Sequence, residues 1–220
     1  MTIKNWKKVL KLAKKGNGKA QFEVGSYFED GLQIGKKRLL KIDKAKALKW
    51  FKKAHKKGNV DATVRYADYL SEGINCNKNM GLAIRLYKRA IKKGSYIAVF
   101  NLAKTYSQKK SFSAAFKLYS QIQKEHNKNV IELAFCYYFG LGTTKNKKKA
   151  FKIFEVISKD TSMYRNCESE INEANFYLGL MYLEGEVVKK SIKKARKYLK
   201  LANEDKDHQT ANELLLLIGK

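Results

Sequence analysis

The chain has 220 residues, 44% hydrophobic and 12% aromatic, which supports a buried core and excludes the low-hydrophobicity disordered class. Its 47 Lys+Arg against 20 Asp+Glu leave +27 at pH 7, a charge that repels itself and attracts acidic or polyanionic partners. No apolar run reaches the roughly 18 residues of a membrane span, and the three scattered cysteines, Cys76, Cys136 and Cys167, offer no CxxC for zinc or redox chemistry.

Residues 3–16 interrupt their apolar positions with lysine every two or three residues. That pattern predicts a helix capping one end of the chain and lacks the apolar stretch of a secretion signal, so a cytoplasmic location with reduced thiols is expected. From residue 20 the chain repeats. A small residue is followed by apolar residues two, four and eight positions later: Ala20/Phe22/Val24/Phe28, Ala62/Val64/Tyr66/Leu70, Ala98/Phe100/Leu102/Tyr106, Asn129/Ile131/Leu133/Tyr137 and Ala174/Phe176/Leu178/Tyr182. Directly after the fourth-position residue stands Gly25, Ala67, Ala103, Ala134 or Gly179. Spacings of 0, 4, 5 and 8 lie on one helical stripe, and the small residue admits a close partner helix.

A second helical segment follows each first one. Ala47–Gly58 and Ala83–Gly94 align residue for residue, with related segments starting at Ala115, Ala150 and Ala195. Each unit is therefore a helix pair that cannot bury its stripe alone, and stacking creates a continuous core. The pairs span 20–58, 62–94, 98–126, 129–159 and 174–203 of a single domain covering 1–220, and 208–218 reads as a closing helix. Extra residues around Ile34–Ile42 and the acidic stretch 160–173 read as loop insertions, and the third unit loses its glycines at Gln108–Ser111. Net charge falls from +14 over residues 1–60 to +1 over 161–220.

These segments resemble the Sel1-like repeat (SLR), a helical-hairpin solenoid related to the tetratricopeptide repeat. The resemblance is carried by Tyr137-Tyr-Phe-Gly-Leu-Gly142 running to Lys149-Ala150, by Leu178-Gly-Leu-Met-Tyr-Leu-Glu-Gly185 running to Lys194-Ala195, and by Asp43-Lys-Ala-Lys-Ala-Leu-Lys-Trp50. It implies an all-α, right-handed superhelical solenoid of about five helix pairs with capping helices, its first helices lining a concave groove. Some secreted relatives staple each repeat with a disulfide; the cysteines here do not recur with the repeat.

Chemistry has little to stand on. His55, His126 and His208 are scattered, Gly16-Asn-Gly-Lys19 lacks the spacing of a phosphate loop, and Glu168 and Glu170 fall in the acidic insertion beside Glu173. No enzyme activity, metal or cofactor is expected. Binding remains. Third, sixth and seventh positions of the first helices point to the groove, giving Glu23, Tyr27, Arg65, Asp68, Tyr69, Asn101, Lys104, Phe135, Tyr177 and Met181 as partner-binding candidates. The second helices carry a basic face of Lys49, Lys52, Lys53, Lys56, Lys57, Lys88, Arg89, Lys92 and Lys93. A groove of mixed polar and aromatic residues beside a basic face suits an acidic protein partner. The resemblance allows a concrete form, an immunity protein neutralising a bacterial toxin domain. Nucleic-acid binding through the basic half and a secreted effector or scaffold are the alternatives.

Overall fold

The computed structural model describes residues 2–35, 37–126, 128, 130–159, 168–204 and 207–219. It divides the chain into two compact units, 1–108 and 109–220. The first holds α1 (Ile3–Lys14), α2 (Gly18–Asp30), β1 (Leu32–Ile34), β2 (Lys37–Leu40), α3 (Lys44–Lys56), α4 (Val60–Glu72), α5 (Met80–Ile91) and α6 (Tyr96–Gln108). The second holds α7 (Phe112–His126), α8 (Ile131–Phe139), α9 (Lys147–Ser158), α10 (Glu168–Glu184), α11 (Ile192–Ala202) and α12 (Gln209–Ile218). Within each unit every helix packs on the next, and α4 also touches α6. We call α2, α4, α6, α8 and α10 first helices and α3, α5, α7, α9 and α11 second helices.

The second helices bury residues three, four and seven positions apart: Ala47, Leu48, Phe51 and Ala54 in α3, and Ala83, Leu86, Tyr87 and Ala90 in α5. Across the joint, the small residues of the first helices let these side chains approach. A Cβ on Gly25 would stand 2.6 Å from Phe51 Cε1, and one on Gly179 would stand 2.7 Å from Leu199 Cγ. Both distances are inside ordinary carbon contact, so glycine is what the helix separation there requires.

Four pairs share a hinge of the same construction. The side chains of Asp43, Asn79, Asn146 and Ser191 accept from the backbone N–H three residues on, capping the second helix. The backbone N–H of the same residues donates to the carbonyls of Phe28, Leu70, Tyr137 and Tyr182 on the preceding first helix, at 2.7, 2.8, 2.7 and 3.0 Å. Each cap thus ties the start of one helix to the body of the other.

Two expectations are corrected. The insertion after α2 contains an antiparallel hairpin, Leu32 opposite Leu40, with a bulge between Leu32 and Gln33. Gly31 and Gly35 supply its positive φ values, and Leu32 is buried in the cluster of Trp6 and Val24. The acidic stretch is not all loop: residues 160–167, with Cys167, lie outside the described residues, but Glu168, Glu170 and Glu173 are in α10. Acidic side chains suit a first turn, where the backbone amides are unpaired. In the third unit Lys110 takes the left-handed turn, at φ 58, that glycine takes elsewhere. Asn129, the expected anchor of the fourth, lies outside the described residues, and α8 starts at Ile131.

Candidate functional site

The first helices of the residue 1–108 unit carry a polar network. Arg65 on α4 donates from Nε to Glu29 Oε2 on α2 at 3.1 Å, pairs with the same oxygen through Nη2, and reaches Asp68 Oδ2 from Nη1 at 3.1 Å. Asp68 Oδ1 accepts from Tyr87 Oη on α5 and Asn101 Nδ2 on α6, both at 2.7 Å. One carboxylate therefore joins three helices. Burial pushes the Asp68 carboxyl up from the ordinary carboxylate range, opposed by Tyr87, Arg65 and Asn101, which favour its ionised form. Burial and then the Asp68 charge push the Tyr87 phenol up.

Of the expected partner-binding residues, Arg65, Asp68 and Asn101 come together in this network, and Lys104 is exposed beside it. Glu23 accepts from Tyr27 Oη at 2.7 Å, and burial followed by Glu23 raises that phenol to about 12. Tyr69 and Met181 are corrected. Each is only 1% exposed, so neither ring nor thioether lies on a surface. Their seventh position is buried also at Thr105 and Cys136. The first helices pack on more than their own second helix, which widens the buried stripe beyond four positions. Glu29 and Tyr87 were not foreseen, because an ion pair 36 residues apart follows from stacking and leaves no local pattern.

In the residue 109–220 unit the first helices present aromatics. Phe135 and Tyr177 are half-buried and lie 5.1 Å apart, Tyr177 stacks on Phe154 at 5.2 Å, and Phe139 is 53% exposed at the edge of this cluster. Burial, then Glu173 and Tyr138, raise the Tyr177 phenol.

The residues of the basic face lie in α3 and α5 and directly after them. Lys49, Lys53, Lys56, Lys57, Lys88, Arg89, Lys92 and Lys93 are exposed, while Lys52 is half-buried with its ammonium over the Tyr66 ring. Among the described residues no carboxylate is within ion-pair distance of any of them. His55 sits under this face. Thr63 Oγ1 donates to the Asn59 carbonyl, so it accepts from His55 Nδ1–H at 2.9 Å. Desolvation, then the Arg89 and Lys93 charges, lower the His55 pKa.

A family model of the Sel1 repeat matches residues 18–59, 60–95, 131–156 and 172–214, more than half of the chain. The chain is a member of the Sel1 repeat family. The match omits residues 96–130, the stretch where the glycines are lost and the two units divide. The fold is also that of three crystal structures. A protective antigen from uropathogenic Escherichia coli strains, described as displaying an SLR fold, is 21% identical over 94% of this chain, with a TM-score of 0.74. This chain spans only 42% of that protein. A Sel1 repeat protein from Oxalobacter formigenes is 18% identical over 87% of this chain and 74% of its own, at 0.67. A putative sel1 repeat protein from Klebsiella pneumoniae subsp. pneumoniae is 19% identical over 98% and 99%, at 0.53. Sel1 repeats are in general protein-interaction scaffolds, and the family is typically non-catalytic.

His208 Nδ1 accepts from the Ala211 N–H and caps α12, and burial followed by the Glu132 charge pushes the Cys136 thiol up to about 11, away from the reactive thiolate. The side chain of His126 lies outside the described residues. Among the described residues no group of three or more His, Cys, Asp and Glu side chains is arranged to hold a metal ion, and no helix is long and apolar enough to cross a membrane.

Proposed function

We propose that the chain is a non-catalytic interaction module that engages an acidic protein partner, its first helices giving specificity and its basic second helices giving speed. The observation that carries this reading is the set of eight exposed cations in α3 and α5 and directly after them, with no carboxylate in ion-pair range among the described residues. Uncompensated like charge on one face costs self-repulsion, and an acidic surface docking there relieves it. Such a field also raises the encounter rate and falls with salt. The first helices differ in kind. Their half-buried charges are held in fixed geometry, and their aromatics are rigid, which is how a surface acquires a few strongly contributing contacts.

The test is binding of a purified partner, first captured from the native strain and then reconstituted from separate components. Saturable one-to-one binding that weakens as salt rises, without competition by unrelated RNA, supports the reading. RNA or DNA of arbitrary sequence binding with the same salt slope supports a polyanion-binding function in its place.

A further inference from the structure

Three helices of the residue 1–108 unit end in the same way. α1, α3 and α5 run into Lys14-Lys15-Gly16, Lys56-Lys57-Gly58 and Lys92-Lys93-Gly94. In each turn the glycine takes a positive φ, at 92, 81 and 83°, and its N–H donates to the carbonyl three residues back, that of Ala13, His55 or Ile91. The following N–H, of Asn17, Asn59 or Ser95, donates to the carbonyl five residues back, that of Leu12, Ala54 or Ala90, at 3.2, 3.1 and 3.1 Å. This is the bonding of a glycine-closed helix end. Its three copies put the paired lysines in equivalent places.

The turns stand in a row. Lys57 Cε and Nζ lie 3.6 and 3.9 Å from where a Cβ on Gly16 would be, and Lys93 Nζ lies 3.8 Å from the same point on Gly58. The Lys93 ammonium also donates to the Gly58 carbonyl at 3.4 Å. Each of these two lysines thus reaches the turn before its own. All six paired lysines are exposed, and among the described residues no carboxylate is within ion-pair distance of any of them. Residues 14–19, 56–61 and 92–97 hold seven lysines and one carboxylate, Asp61. The helix dipole favours a cation in a last turn, but does not require two side by side. Nor does the repeat: the same places in the residue 109–220 unit read Lys124-Glu125-His126, Lys159-Asp160-Thr161 and Glu204-Asp205-Lys206, each holding a carboxylate.

We propose that this edge, the turns after α1, α3 and α5, binds an extended acidic segment of a protein partner, its carboxylates meeting one lysine pair after another. At the spacing of packed helices, about 10 Å, three turns cover about 20 Å, the length of about six extended residues. A row of that shape fits a linear chain. Helix ends also leave carbonyl oxygens without helical partners, and a peptide brings N–H donors to them together with its carboxylates. A DNA backbone brings acceptors alone. The proposal rests on the protein-interaction reading and narrows it: the acidic partner contributes a linear stretch, and Lys14 and Lys15 join the lysines after α3 and α5 in holding it.

The experiment is fluorescence anisotropy of a labelled ten-residue peptide alternating glutamate and serine, titrated with the full chain. The same peptide with glutamine for glutamate and a labelled ten-residue oligothymidylate are run beside it. Two variants lose equal charge, one cation per helix: Lys15→Gln/Lys57→Gln/Lys93→Gln in the turns, and Lys8→Gln/Lys49→Gln/Lys88→Gln on the exposed helix bodies. Saturable one-to-one binding of the glutamate peptide alone is expected, weakened about tenfold in the turn variant and about twofold in the body variant. If the turn variant melts lower than the parent, Lys14→Gln/Lys56→Gln/Lys92→Gln carries the comparison, with the same ranking expected. Equal weakening in turn and body variants, an equal response to the glutamine peptide, or no saturation overturns the proposal. Oligothymidylate binding more tightly than the peptide, with the same ranking of variants, overturns it in favour of nucleic acid. Loss of the edge by these criteria, with reconstituted partner binding intact, leaves the interaction module standing. Turn-specific peptide binding with no protein partner recovered supports the edge and counts against the wider reading alone.

Discussion

Gly25→Ala reverses the sign that helix propensity alone would give. In an open helix the change stabilises by about 1 kcal/mol, because alanine loses less backbone entropy than glycine. In α2 the new methyl would lie 2.6 Å from Phe51 Cε1 and 2.7 Å from Cδ1, roughly an ångström inside ordinary carbon contact. Phe51 has nowhere to go: it is 0% exposed, with Phe22 and Tyr69 each 5.8 Å away. Overpacking of this kind costs about 1–3 kcal/mol, so the net effect is a loss of about 1 kcal/mol. Both tryptophans of the chain, Trp6 and Trp50, lie in the 1–108 unit, so urea unfolding followed by tryptophan fluorescence reads this unit alone. The double variant Gly25→Ala/Phe51→Leu should lose less than the sum of its parts, because removing the ring edge makes room for the methyl. A Gly25→Ala chain more stable than its parent would refute the close joint between α2 and α3.

Asn79→Ala should cost about 1 kcal/mol in the same assay, through loss of the 2.9 Å bond from the Leu82 amide, while Asn79→Asp should keep most of it. The stability of the parent should fall as pH drops below about 6.5, since the folded state resists protonation of His55 more than the unfolded chain does. The sign follows from the lowered folded pKa: the unfolded state binds more protons in that window, and stability returns above it. His55→Gln should remove that part of the pH dependence, and equal slopes for the two chains between about pH 7 and 5 would contradict the burial of the ring.

Local chemistry made most of the fold legible. Gly25 and Gly179 marked where helices touch, because a missing side chain in an apolar stripe has a packing reason. The residue-for-residue match of Ala47–Gly58 with Ala83–Gly94 marked two second helices, and the Asp43 cap at the start of the first is what the structure adds. Tyr69 and Met181 are buried, against the expectation from spacing, because a helix in a stack has neighbours along the stack as well as within its own pair. The hairpin at Leu32–Leu40 leaves no mark in the sequence because strands of three and four residues are too short to show alternation. Arg65, Asp68 and Asn101 were identified singly. Their joining with Glu29 and Tyr87 depends on how successive pairs are rotated, which spacing along the chain does not record.

The division of labour between the two kinds of helix is tested most directly by association and dissociation rates for a purified protein partner. Three chains are compared at two salt concentrations: the parent, one carrying Lys53→Gln, Lys56→Gln and Lys57→Gln, and one carrying Phe139→Ala and Tyr177→Ala. The lysine variant should associate several-fold more slowly, with a flatter salt dependence and nearly the parent dissociation rate. The first-helix variant should associate at the parent rate and dissociate about tenfold faster, as loss of anchoring contacts does. A lysine variant that no longer binds, beside a first-helix variant that binds as the parent does, would contradict the account and leave a surface that recognises charge alone.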